Sequence, residues 1–150
     1  MERGTGLPQG QQPPLEQPPT HAVAPAAGRV LFVDDEPIIV ATYGLLLRRS
    51  GYDVVTVSTG EKAIAQYREA MDQGTPFDAV IMDLMLPGGL SGTDATKRIL
   101  ESDPSARIIV SSGSSDNQLV THYRDHGFCG IVPKPYSIES LSAALRAAIP

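Results

Sequence analysis

Asp34, Asp35 and Glu36 stand in a row directly after a short apolar run at residues 30–33. Three adjacent carboxylates repel one another, and taken alone they describe a solvated turn ahead of a helix. Asp83 changes that reading, because it ends a second apolar run at 79–82. If both runs are strands of one parallel sheet, their C-terminal ends share an edge and the acids converge. Packed carboxylates raise each other's pKa unless a cation compensates, and hard oxygen donors select Mg²⁺ or a near relative such as Mn²⁺. A cation held by few protein oxygens keeps positions open for a phosphate, so such a site can orient a phosphoryl donor against a carboxylate nucleophile.

Two further run-ends supply the groups that chemistry needs. Ser111, Ser112 and Gly113 close one, and Pro133, Lys134 and Pro135 close the other. A hydroxyl can donate to a phosphoryl oxygen, and a lysine ammonium is a compact charge suited to another. A lone lysine is ordinarily a surface residue. Between two prolines, which fix φ and admit a cis bond, Lys134 is instead aimed at a defined point.

Elements that position these residues are readable from the pattern. Short β-branched runs at 30–33, 53–57, 79–82, 107–111 and 130–132 have the length of strands buried on both faces. Longer amphipathic stretches at 37–49, 60–72, 93–102, 116–126 and 138–148 predict five helices between and after them. Pro37 suits a first helical turn, and Gly51 and Gly127 suit helix ends. Strict βα repetition with right-handed crossovers predicts an α/β fold whose parallel sheet is covered on both faces. Residues 1–28 contain six prolines, four glycines and four glutamines without an apolar period, and are expected to be a disordered extension or linker. Residues 29–150 are expected to be the folded domain.

Composition narrows the function classes. Twelve basic against seventeen acidic residues give a net charge of −5, which argues against direct nucleic-acid binding. No apolar run approaches the ~20 residues of a membrane span, and the start lacks a secretory pattern, so a cytoplasmic location without membrane insertion is expected. One cysteine, Cys129, provides no disulfide framework. His122 and His126 have metal-ligand spacing but no third ligand near them in sequence, so a zinc site is not expected.

Taken jointly, Val33-Asp34-Asp35-Glu36, Met82-Asp83-Leu84-Met85-Leu86-Pro87, Ser112-Gly113 and Pro133-Lys134-Pro135 resemble the response-regulator receiver family of two-component signalling. The resemblance covers Arg29 to the end of the chain. It implies a flavodoxin-like (βα)5 doubly wound sheet of strand order 2-1-3-4-5. It also implies that Asp83 is the phosphoacceptor, that Asp34, Asp35, Asp83 and the backbone carbonyl of Met85 hold Mg²⁺ or Mn²⁺, and that Ser112 and Lys134 contact the phosphoryl group. Ser112 is preferred to Ser111 because the family places a small residue next, here Gly113. The implied partner is a sensor histidine kinase or a histidine phosphotransfer protein, with a receiver homodimer as a further partner the family admits. Such a domain is a phosphoacceptor in a phosphorelay, not an enzyme acting on a separate substrate.

The chain departs from the family pattern in two places, at Ile131 and in the loop from Pro87 to Gly92. Ile131 stands where an aromatic residue is common, so coupling to the surface of the last two helices would use Tyr136 or another contact, or would be weak. The loop Pro87-Gly88-Gly89-Leu90-Ser91-Gly92 is slightly long and resembles receivers of hybrid sensor kinases, which a proline-rich linker upstream would fit. No output domain follows Pro150, which suggests a stand-alone regulator or a receiver from a larger protein. Met85 and Ser114 offer no acid or amide to hold an attacking water, so slow loss of the phosphoryl group is expected. Two alternatives stay open: a pseudo-receiver that binds partners without phosphorylation, and an aspartyl-nucleophile phosphatase, which the missing Asp-x-Asp after the first strand disfavours.

Overall fold

A computed structural model describes residues 27–113 and 121–150. The elements run β1 (Gly28–Val33), α1 (Pro37–Arg49), β2 (Tyr52–Val57), α2 (Gly60–Asp72), β3 (Ala79–Asp83), α3 (Gly92–Ser102), β4 (Ile108–Ser112), a 3-10 helix (Tyr123–His126), β5 (Gly130–Pro133) and α4 (Ile138–Ala148). All strand pairs are parallel, in the order β2-β1-β3-β4-β5. The flavodoxin-like fold read from the sequence is therefore observed.

Side chains alternate across the sheet and build two cores. Leu31, Val33, Val80, Met82, Ile108 and Val110 face α2 and α3, meeting Tyr67, Ala95 and Ile99. Val30, Phe32, Ala79, Ile81, Ile109 and Val132 face α1 and α4, meeting Leu47, Leu141 and Leu145. Each fully buried leucine contributes about 1.5–3 kcal/mol from removal of its apolar surface from water. Helix starts follow local chemistry. Pro37 opens α1, Thr59 and Ser91 accept N–H groups at the starts of α2 and α3, and Ser137 and Ser140 form a reciprocal cap on α4.

Pairing carries the strands beyond the apolar runs. β1 begins at Gly28, opposite Tyr52 of β2, and β4 ends at Ser112, opposite Pro133 of β5. One expected element differs. Of the helix expected over 116–126, residues 116–120 lie outside the described residues, and the closing turn is 3-10, not α-helical. None of its four residues is fully buried, only Tyr123 packs partly against the core, and Gly127 ends the turn with φ +92°. The expected extension, residues 1–28, falls outside the described residues up to residue 26.

The edge of the sheet opposite the acidic loops is fastened by Arg29. Its backbone N–H donates to Asp78 Oδ2 at 2.7 Å, and its side chain reaches the Thr75 carbonyl and Asp53 Oδ2 at 2.5 and 3.2 Å. Its guanidinium lies 4.5 Å from the centre of the Phe77 ring.

At the functional edge, α3 starts so close to β3 that a Cβ on Gly92 would sit 2.1 Å from the Asp83 carbonyl oxygen. Gly92 also donates its N–H to the Leu84 carbonyl at 3.1 Å. Backbone cannot yield as a flexible side chain does. Gly92→Ala is therefore expected to lower stability by about 1–3 kcal/mol in urea unfolding, and an unchanged midpoint would refute this close approach.

Candidate functional site

Asp34, Asp83 and Lys134 each lie two residues past a core residue of the α1/α4 face, namely Phe32, Ile81 and Val132. Period-two alternation therefore points them to the same side of the sheet edge. Lys134 Nζ lies 3.1 Å from Asp83 Oδ2 and 3.4 Å from Asp34 Oδ2. Each buried aspartate gives its other oxygen to its own loop. Asp34 Oδ1 accepts the Glu36 N–H at 3.0 Å, and Asp83 Oδ1 accepts the Met85 N–H at 3.2 Å. These i to i+2 bonds fold the loops back over the carboxylates. Lys134 is set by its own backbone, which donates to the Ser112 carbonyl at 2.9 Å, and the Lys134–Pro135 bond is cis.

Asp34 and Asp83 are buried, whereas Asp35 is exposed at the rim. One oxygen from each of the three lies within 4.8 Å of the others. Three carboxylates face one ammonium, so the pocket carries excess negative charge. An all-oxygen donor set with surplus charge fits a hard divalent cation better than a metal that prefers nitrogen or sulfur. Burial pushes the Asp83 carboxyl above its ordinary value. The hydrogen bond from Lys134 opposes this, and the charge of Asp34 adds to it. For Lys134, burial pulls the ammonium down, but the hydrogen bond to Asp83 and the charges of Asp83 and Asp34 outweigh it, so the net direction is upward. The lysine is thus firmly charged, and Asp83 bears the cost of burial.

The structure brings Asp34, Asp35, Asp83 and Lys134 together and puts the Met85 backbone beside Asp83, with the Met85 side chain exposed. Ser112 is buried at the end of β4, where its hydroxyl donates to the Gly113 carbonyl at 3.0 Å. Ser114 lies outside the described residues. Sequence reasoning missed the role of Ser111. It sits two residues past Ile109, on the same face as the acids, and its hydroxyl contacts that of Tyr136. Tyr136, a candidate from the sequence for coupling the site to the last two helices, is buried, and its hydroxyl donates to Asp34 Oδ2 at 3.3 Å. Burial first, then the neighbouring acids, push its phenol upward against the opposing bond with Ser111, so it remains a donor through the neutral range. The strand-end position that marked Asp83 also marks Ser111, so that signal was present in the sequence.

The family model described as response regulator receiver domain matches residues 30–146. The DNA-binding response regulator MtrA of Mycolicibacterium smegmatis is 32% identical over 119 residues, covering 79% of this chain and 49% of that protein. The transcriptional regulatory protein KdpE of Mycobacterium tuberculosis is 38% identical over 120 residues, covering 80% of this chain and 50% of that protein. The chain thus spans about half the length of the curated relatives it matches. A crystal structure of a response regulator receiver domain protein from Clostridium thermocellum superposes with a TM-score of 0.71 at 28% identity, covering 81% of this chain and 93% of that one.

The raised Asp83 carboxyl fixes the sign of a pH effect. Between the unfolded value of 3.8 and the higher native value, the folded state keeps a proton that the unfolded state has lost, so stability falls as pH rises through that window. Asp83→Asn removes this penalty. In EDTA at pH 7 the variant is expected to be more stable in urea by about 1.4 kcal/mol for each pH unit between the two values. The two proteins should converge below the unfolded value, and equal stability at pH 7 would contradict the burial cost.

Proposed function

Since the chain belongs to the response regulator receiver domain family, we propose that it is the phosphoacceptor of a two-component phosphorelay, phosphorylated on Asp83 with Mg²⁺ bound among Asp34, Asp35 and Asp83. The observation that carries this reading is the placement of one lysine ammonium 3.1 Å from Asp83 and 3.4 Å from Asp34, beside three carboxylate oxygens within 4.8 Å of one another. A buried acid cluster this poorly compensated is costly to the fold alone, and a cation plus phosphoryl group accounts for it.

The donor is proposed to be a phosphohistidine on a sensor histidine kinase or a histidine phosphotransfer protein. An Asp83 oxygen attacks phosphorus as the bond to the imidazole nitrogen breaks, and the electron pair leaves with the imidazole. Bound Mg²⁺ would neutralise charge on the phosphoryl oxygens, with the Met85 carbonyl as its remaining protein ligand. Lys134 holds a second oxygen of the same group. Ser112, at the end of β4, donates to a third, so the added charge biases the loop after β4 and changes what partners meet. The domain does no chemistry beyond its own phosphotransfer and dephosphorylation.

Within this reading, the receiver begins with β1 at Gly28, one residue earlier than expected, and the residues before it form a linker. The acidic receiver acts on protein partners, a second receiver among them, and not directly on DNA. Among the described residues no helix is long and apolar enough to cross a membrane, and a cytoplasmic setting is part of the proposal.

Incubation with acetyl phosphate and Mg²⁺, followed by intact-mass measurement, tests the proposal. Wild type is expected to gain one phosphoryl group, and Asp83→Asn or EDTA to abolish the gain. Lys134→Ala is expected to slow it about 100-fold. A wild type that gains nothing would leave a partner-binding module without phosphorylation. A phosphoryl lifetime of minutes or longer is expected, since the Met85 side chain offers no group to hold water in line.

A further inference from the structure

Tyr136 touches the acid pocket yet has no task in the chemistry above. Its ring is packed edge-on against Phe32 and Tyr43, with centroids 6.2 and 5.3 Å apart, and the Tyr43 hydroxyl donates to the Tyr136 carbonyl at 2.9 Å. Neither end of the residue is free to swing. Its hydroxyl donates to Asp34 Oδ2, and on the other side it meets the Ser111 hydroxyl. Asp34 and Ser111 are both fully buried. Each hydroxyl owns one proton, and an ionised carboxylate only accepts. Tyr136 therefore spends its proton on Asp34, and Ser111 spends its own on Tyr136. The bonds run one way, from Ser111 through Tyr136 to Asp34, and each polarises the next.

Asp34 has two other donors, the Glu36 N–H on Oδ1 and Lys134 on Oδ2. Lys134 is shared with Asp83, which it approaches more closely, and a phosphoryl oxygen on Asp83 would compete for it. Once the lysine turns to that group, Tyr136 is the remaining named donor to Oδ2. A phenylalanine would fill the same ring site and leave that oxygen unheld.

We propose that Tyr136, backed by Ser111, is a positioning residue that keeps the Asp34 carboxylate oriented for the divalent cation, because Lys134 is divided between Asp34 and Asp83. This rests on the phosphoacceptor reading and adds a residue to it. The hydroxyl acts on the carboxylate, and the ring acts on the fold, so the two roles are separable.

Tyr136→Phe, Ser111→Ala and the double variant would be titrated with Mg²⁺ by calorimetry, and their phosphorylation by acetyl phosphate followed as Mg²⁺ is varied. Tyr136→Phe is expected to weaken Mg²⁺ binding about tenfold and to move the half-saturating Mg²⁺ concentration equally, with the loss restored by excess Mg²⁺. Ser111→Ala should shift both in the same direction by less, and the double variant should be no worse than Tyr136→Phe. Unchanged Mg²⁺ affinity in Tyr136→Phe overturns the proposal alone. So does a fall in the saturated rate with the half-saturation point unmoved, which marks a purely structural contact. Independent, multiplying losses in the double variant overturn the chain. Should Tyr136→Phe fail to fold, Ser111→Ala carries the same test. A wild type that binds no Mg²⁺ overturns the phosphoacceptor reading as well, which distinguishes the two failures.

Discussion

Two buried carboxylates, Asp34 and Asp83, share the single ammonium of Lys134. One positive charge cannot satisfy both, and removing carboxylates from water is costly even when they are paired. Much of the local architecture answers that shortage. Each acid turns one oxygen onto the N–H two residues ahead, Tyr136 supplies Asp34 with a neutral donor, and Asp35 stays exposed where water screens it. The remaining deficit is the chemical potential of the site, because whatever brings positive charge or accepts the lysine's donors is drawn in.

Why this fold rather than another presents such a pocket follows from the parallel sheet. With every strand running the same way, all the C-terminal strand ends open on one edge. The step from a buried apolar residue to a functional one is then always two positions: Phe32 to Asp34, Ile81 to Asp83, Ile109 to Ser111 and Val132 to Lys134. The rigid strands set the spacing of the groups, and the loops only finish their aim.

That regularity is also why much of the molecule was legible beforehand. The bounds of α1, α2 and α4 coincide with the amphipathic stretches because Pro37, Thr59 and Ser137 mark their starts in the sequence itself. The acids and the lysine were legible because their neighbours form unmistakable apolar runs. Strand ends were less so, since Gly28 and Tyr52 are fixed by pairing with each other and not by their own preference. The 3-10 turn at Tyr123–His126 has a helical pattern, but Tyr123 alone packs against the core, too little to fix which helical form closes it. Least legible was the hydroxyl of Tyr136, which reaches an acid 102 positions away. No local pattern encodes that meeting; the ring's packing against Phe32 and Tyr43 does.

At the end of the sheet farthest from the acids, Arg29 ties β1 to the loop before β3 through Asp78, Thr75 and Phe77, and to β2 through Asp53. Cohesion and reactivity thus occupy opposite poles of the same strands. A new ligand can alter the electrostatic balance at one pole while the backbone bond from Arg29 to Asp78 and the contact with Phe77 at the other hold register. A change of charge among the acids therefore falls on the loops that carry them, while the strands stay pinned at their other end.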